Sequence, residues 1–191
     1  MKKYLLFFVI ILLILVIFYH KSKKDFSYSY IENFLTNNDL IQLNNELKNY
    51  DQKLENSLED YQNVYRYNTP IDSIKIRNIL ASYTNKIRGN TNNNKIYLAN
   101  NFPIEYRKYI KGSFMNKHRD QLIYKKPQYE CILTLSNSTD SYTILGHKKI
   151  KSKPNSLIIV KAQGIEHEVT RVNEGERYFL KFIFTETDLF Y

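Results

Sequence analysis

Asn116-Lys117-His118-Arg119-Asp120, answered downstream by Glu166-His167-Glu168-Val169, is the part of the sequence from which the rest is read. On a strand, successive side chains alternate faces, so His118 and Asp120 would project an imidazole and a carboxylate from the same side. A second imidazole, His167, arriving from a neighbouring strand would complete two histidines and one carboxylate around a metal. That donor set leaves adjacent coordination positions open and suits non-haem Fe(II) in oxygen chemistry. Beyond His167, Gly175-Glu176-Arg177 puts a guanidinium at the start of the last strong strand. There it could hold a dicarboxylic ligand through a fork of two hydrogen bonds.

Outward from these motifs, the chain has 191 residues, enough for one domain with a proper core. Lys and Arg number 28 against 19 Asp and Glu, a formal net charge of +9. The lysines are dispersed among Asn, Tyr and Ile rather than massed in a block. The charge therefore reads as a basic surface, and attraction to nucleic acid on charge alone is a weak inference. Cys131 is the only cysteine, which excludes an intramolecular disulfide and a dithiol redox pair.

Residues 4–19, preceded by Met1-Lys2-Lys3, carry no charge and are rich in Leu, Ile, Phe and Val. A core helix of a soluble domain is seldom apolar all round at the extreme N-terminus. The run is shorter than the roughly 20 residues of a typical span, but flanking lysines can snorkel and help it fit a thin bilayer. Phe18-Tyr19-His20-Lys21-Ser22 offers no pair of small residues for a signal peptidase, so an uncleaved anchor is expected. Lysines lie on both sides, which leaves its orientation open. The organisation expected is a tail at 1–3, a single-pass membrane anchor at 4–20, a linker at 21–29 and one domain at 30–191. A lumenal position in the endoplasmic reticulum is compatible with this arrangement.

Thr36-Asn37-Asn38-Asp39 is a helix start with an acidic residue three after the capping Thr, and Leu40, Leu43 and Leu47 follow at helical spacing. A helical or irregular stretch is expected over 51–61. Thr69-Pro70-Ile71-Asp72 reads as a second start, with Pro at the first helical position. Ile76, Ile79, Leu80, Tyr83 and Ile87 form its apolar stripe, with Gly89 as the C-terminal cap. Both helices are expected to be scaffold packed on a sheet, and the polar loop 90–94 offers no site. The period then shifts to short strands at 96–98, 104–110, 128–135, 141–145, 156–160 and 178–185. Many short strands after helices predict an α+β chain built on an antiparallel jelly roll, a double-stranded β-helix supported by N-terminal helices.

The stretches Tyr109-Ile110-Lys111-Gly112-Ser113-Phe114, His118-Arg119-Asp120, His167-Glu168-Val169-Thr170 and Gly175-Glu176-Arg177-Tyr178 together resemble the Fe(II)/2-oxoglutarate dioxygenases of the prolyl 4-hydroxylase type. The resemblance covers roughly residues 104–186, and the helical lead-in from Tyr30 more loosely. It implies that His118, Asp120 and His167 hold Fe(II), with no catalytic residue beyond the metal centre. It further implies that Arg177 binds the far carboxylate of the co-substrate 2-oxoglutarate, that Tyr109 lines the co-substrate pocket, and that ascorbate is a further cofactor. A peptidyl residue such as proline is the substrate expected from it. Rival readings are a membrane-tethered interaction module on a decayed oxygenase fold and an oxygenase acting on nucleic acid.

Three departures bear on these expectations. Thr134 stands where the family usually has a tyrosine, and the Gly-Gly that usually follows is missing. His147 is the one rival for the second imidazole, but Leu157 follows it at the interval where Arg177 follows His167. In the last strand Arg177, Phe179, Lys181 and Ile183 share one face, and Tyr178, Leu180, Phe182 and Phe184 the other. If Arg177 points inward, Lys181 does too, and a buried lysine needs a partner.

Overall fold

The computed structural model describes residues 26–59 and 64–191; the apolar run at 4–19, and with it the expected anchor, lies outside the described residues. Among the described residues no helix is long and apolar enough to cross a membrane. The strands are β1 (Tyr28–Ile31), β2 (Glu55–Glu59), β3 (Val64–Ile71), β4 (Tyr97–Leu98), β5 (Ile104–Tyr109), β6 (Met115–His118), β7 (Gln128–Asn137), β8 (Thr143–Leu145), β9 (Lys148–Ile150), β10 (Ser156–Lys161), β11 (His167–Val169) and β12 (Arg177–Thr185). The helices are α1 (Asn37–Leu47), α2 (Ile74–Ser82) and α3 (Thr84–Thr91). A large antiparallel sheet runs β1-β10-β7-β12-β5-β3-β2, with β4 added to β12, and a smaller one runs β6-β11-β8-β9. The helices cover the outer face of the large sheet and the smaller sheet faces its inner side. This is the jelly roll with supporting helices that the strand pattern predicts.

The outer face is a continuous apolar layer. Leu180, Phe182 and Phe184 of β12, with Cys131 and Leu133 of β7, pack with Leu43, Leu47, Ile76, Leu80 and Ile87 of the helices. Burying one such side chain stabilises the fold by about 1.5–3 kcal/mol. The start of α1 forms as its residues dictate: Thr36 accepts from the Asp39 amide at 3.2 Å and its hydroxyl donates to the Asp39 carboxylate at 2.8 Å. Tyr83 also donates to Asp39, at 2.5 Å, tying α1 to the α2–α3 junction.

Other local expectations are corrected. Thr69, Pro70 and Ile71 do not begin a helix; they end β3, paired with Tyr106, Glu105 and Ile104. Helix α2 starts three residues later, capped by Ser73, whose hydroxyl accepts from the Ile76 amide at 3.3 Å. The expected continuous helix breaks at Tyr83, and Gly89 lies inside α3. The C-terminal cap is Asn92, in the left-handed conformation at φ 52° that asparagine tolerates. Of the 51–61 stretch, the described residues 51–59 hold the end of a 3₁₀ turn (Lys48–Lys53) and β2. Strand β1 has no periodic signature of its own and forms because β10 offers it an edge.

One irregularity matters for the site. Along β12 and β7, Tyr178 pairs with Ser136 but Phe179 pairs with Thr134, so β7 carries a bulge at Leu135. Thr134 keeps the inward parity of Glu130 and Ile132, Leu135 joins the helix-side core, and beyond the bulge Asn137 is brought opposite Arg177. A bulge re-aims a side chain in this way, at the expense of one unpaired ladder position.

Candidate metal centre

Between the two sheets lies a cavity of about 240 Å³ whose walls include His118, Asp120, His167, Tyr109 and Arg177, all the candidate residues read from the sequence. His118 is the last residue of β6, and it pairs directly with His167 of β11. Partners across an antiparallel ladder project to the same side, so the pairing brings the imidazoles together, with ring centroids 4.3 Å apart. Asp120 is not on the strand; it follows the end of β6, and the chain turns so that its carboxylate still enters the cavity. His118 Nε2 is 3.8 Å from Asp120 Oδ1, and His167 Nε2 is 3.4 Å from Asp120 Oδ2. Ligand atoms of the three residues all lie within 4.8 Å of one another.

These groups fit a metal ion by their own chemistry. Each imidazole turns Nδ1 to a backbone carbonyl, His118 to Asn116 at 2.8 Å and His167 to Ile165 at 3.3 Å. Donation from Nδ1–H fixes the tautomer and leaves the Nε2 lone pair facing inward, as metal-ligating histidines require. Asp120 Oδ2 is buried without a hydrogen bond, an acceptor that a cation would satisfy. Burial pushes His167 below the ordinary imidazole range, only partly offset by the Asp120 charge. For His118 burial acts the same way, but contact with Asp120 and the Asn116 carbonyl outweighs it and holds the pKa up. Asp120, despite burial, is held below the usual carboxylate range by the two imidazoles and by Lys181.

At the other end of the cavity, Arg177 begins β12 opposite Tyr109 of β5 and Asn137 of β7. Its guanidinium donates from Nη1 to Thr143 at 3.1 Å and from Nη2 to Thr134 at 3.2 Å. Nε is buried without a partner. Burial lowers its pKa to about 10, so it remains a cation at neutral pH with no carboxylate beside it. An uncompensated buried cation is costly, and a carboxylate at Nε would remove that cost. Tyr109, itself 1 % exposed, packs edge-on against Phe179 beside it. Thr134, which stands where a tyrosine was expected, therefore orients the arginine. Thr143 does the same and could not have been found by motif, because it lies on a different sheet.

Lys181 points inward, as strand alternation requires, and its partner is Glu130 on β7, at 3.2 Å. Burial pushes the Glu130 carboxyl up, and Lys181 opposes that shift. A second ion pair, Arg107–Glu105 on β5, lines the same part of the cavity. His147 does not reach the cavity; it is exposed on the turn joining β8 and β9. Lys117, on the outer side of β6, pairs with Glu166 at 3.1 Å rather than with the triad.

No family model and no curated protein matches the chain. Solved structures do. A prolyl-4-hydroxylase from Pseudomonas putida superposes with a TM-score of 0.64 at 15% identity, covering 87% of this chain and 96% of that one. A Trichoplax adhaerens prolyl hydroxylase, in complex with a hypoxia inducible factor oxygen degradation domain peptide, gives 0.64 at 14% identity, covering 87% and 86%. HygX from Streptomyces hygroscopicus, with nickel, 2-oxoglutarate and hygromycin B bound, gives 0.60 at 11% identity, covering 87% and 86%. The chain thus has the fold of the 2-oxoglutarate–Fe(II) oxygenases, prolyl hydroxylases among them.

Proposed function

We propose that this protein is an Fe(II)- and 2-oxoglutarate-dependent dioxygenase of the prolyl-hydroxylase kind, acting on a peptidyl residue such as proline. The observation that carries the reading is one cavity holding two inward Nε2 atoms, an unsatisfied carboxylate oxygen and, at its far end, a buried guanidinium whose Nε has no partner. His118, Asp120 and His167 would hold the iron, and the open side of the cavity would take the co-substrate. Bound there, the metal and 2-oxoglutarate supply oxygen activation coupled to decarboxylation. The chain's own residues do the rest. Thr134 and Thr143 fix the guanidinium so that it can take the far carboxylate through Nε and the remaining Nη hydrogens. Tyr109, Phe179 and Val169 form an apolar collar that excludes water between the two ends. The peptide-bound Trichoplax relative supports a peptidyl substrate. The apolar run at 4–19 supports a membrane anchor for the full chain.

One observation favours a second reading. The wall beyond the metal carries two ion pairs, Lys181–Glu130 and Arg107–Glu105, a charged lining for a neutral proline ring. A polar small molecule is the alternative substrate class, and HygX, a neighbour of the same fold, has hygromycin B bound. The test is succinate formation by the full-length protein with Fe(II), 2-oxoglutarate and oxygen, with and without proline-containing peptides. Iron-dependent succinate stimulated by peptide supports the first reading, stimulation only by polar small molecules the second. Absence of any iron-dependent decarboxylation removes both.

A further inference from the structure

The segment after Asp120 has no regular structure until β7, yet Asp120 must be held to within a fraction of an ångström to serve as a ligand. The segment is bonded at its far end to the C-terminal residues, Tyr191 to Ile123 and Lys125 to Leu189. Next to Asp120 it is bonded by Gln128, the first residue of β7, 0 % exposed and facing the cavity side of the large sheet. Its carbonyl oxygen accepts from the amides of Ile123 at 2.8 Å and Tyr124 at 3.4 Å. Its amide nitrogen donates to the Gln121 carbonyl at 3.2 Å and to the Glu130 carboxylate. Both ends of the side chain are thus satisfied, three of four bonds going to backbone within four residues of Asp120. Glu130, in turn, is fixed by Lys181. From the opposite side, Gln163 donates from its backbone amide (3.1 Å) and its side chain (3.0 Å) to the Asp120 carbonyl.

We propose that Gln128 is a positioning residue for the metal carboxylate: with Glu130 and Lys181 as its anchor, it fastens the loop that carries Asp120 to the large sheet. The proposal rests on the dioxygenase reading of the triad and extends it to a residue that touches neither metal nor co-substrate. It also accounts for the inward lysine. Lys181 reaches the loop through Glu130, so the ion pair has work in holding the site irrespective of the substrate. A buried, fully bonded glutamine cannot be replaced by an apolar side chain without leaving loop donors and acceptors unpaired. Partners that orient a metal ligand characteristically change metal affinity when removed.

The experiment is anaerobic titration of the full-length protein with Co(II), read by its visible absorption, for wild type, Gln128→Met and Leu43→Ala. Methionine keeps the volume and removes the hydrogen bonds. Leu43→Ala opens a hole in the helix-side core, remote from the cavity, and controls for lost stability alone. Wild type should bind one Co(II). Gln128→Met should bind it about 10- to 100-fold more weakly with an altered absorption envelope, and Leu43→Ala should bind it as wild type does. Equal affinity in Gln128→Met, or an equal loss in Leu43→Ala, overturns the proposal while leaving the triad standing. Failure of wild type to bind Co(II) overturns the dioxygenase reading and the proposal with it. Hydrogen exchange on the wild-type protein tests the same point without a variant. The Ile123 and Tyr124 amides should be protected and become more so with Co(II); unprotected amides overturn it.

Discussion

The two faces of β12 do different things with the same nine residues. Outward, Leu180, Phe182 and Phe184 sit in an apolar layer against the helices, and only the hydroxyl of Tyr178 needs a partner, Glu176 at 3.0 Å. Inward, the strand presents a guanidinium, an aromatic ring and an ammonium, each engaged by a residue from another strand. The outer face is replaceable chemistry in a tightly filled space; the inner is specific chemistry around a space left open. The difference teaches that stability and ligand binding here are separable by side-chain parity along one strand. Variants on each face should therefore fail in different assays.

The sharpest break comes from the triad. His118→Ala or Asp120→Ala should abolish Co(II) or Fe(II) binding and turnover together, with a melting temperature close to that of the metal-free wild type. His147→Ala should change neither, and a dead His147→Ala beside an active His167→Ala would reverse the ligand assignment. On the outer face, Leu180→Ala should cost about 2–5 kcal/mol of stability, measured by denaturant unfolding. The folded fraction should still bind metal with wild-type affinity, and a large loss of affinity would mean the faces are coupled.

Next in size is Arg177→Ala, expected to weaken 2-oxoglutarate by about 2–3 kcal/mol, roughly 30- to 150-fold, at saturating metal. Iron should remain bound, and Arg177→Lys should fall between, since an ammonium supplies a point charge without the fork. Equal co-substrate affinity in all three proteins would leave Arg177 a structural cation. The smallest effect belongs to Thr36→Ala at the start of α1, about 1 kcal/mol of stability with no change in either affinity. Thermal unfolding alongside Co(II) titration checks both halves of that statement.

Most of the candidate site was legible through the motifs that carry the resemblance; alternation gives the direction of His118, His167 and Arg177 at strand ends but not that of Asp120, which lies beyond the end of β6. The inward lysine was legible by alternation from Arg177, though its partner was not, since Glu130 is a diagonal neighbour on β7, where Lys181 stands opposite Ile132 and Glu130 opposite Ile183. The bulge that brings Asn137 opposite Arg177 leaves no trace in composition. The Pro70 misreading has a similar origin. Proline fits the first turn of a helix, but it also fits a strand position that needs no amide donor, and the Glu105 pairing decided between them. Gln128 was invisible because its function is to bond backbone, which any sequence offers.

The order in which the sheet is assembled carries a consequence for biosynthesis. β12 is the last of the described strands in chain order, yet it sits in the middle of the large sheet, paired to β7 on one side and β5 on the other. Until residues 177–185 leave the ribosome, β1-β10-β7 and β5-β3-β2 are two ribbons with no common strand, each with an open edge. Closure of the large sheet therefore waits for β12, and such long-range closure is slow. A chain cut before β12 loses, together with Arg177, the strand that joins the two ribbons. The strand that carries the guanidinium is also the one that closes the large sheet.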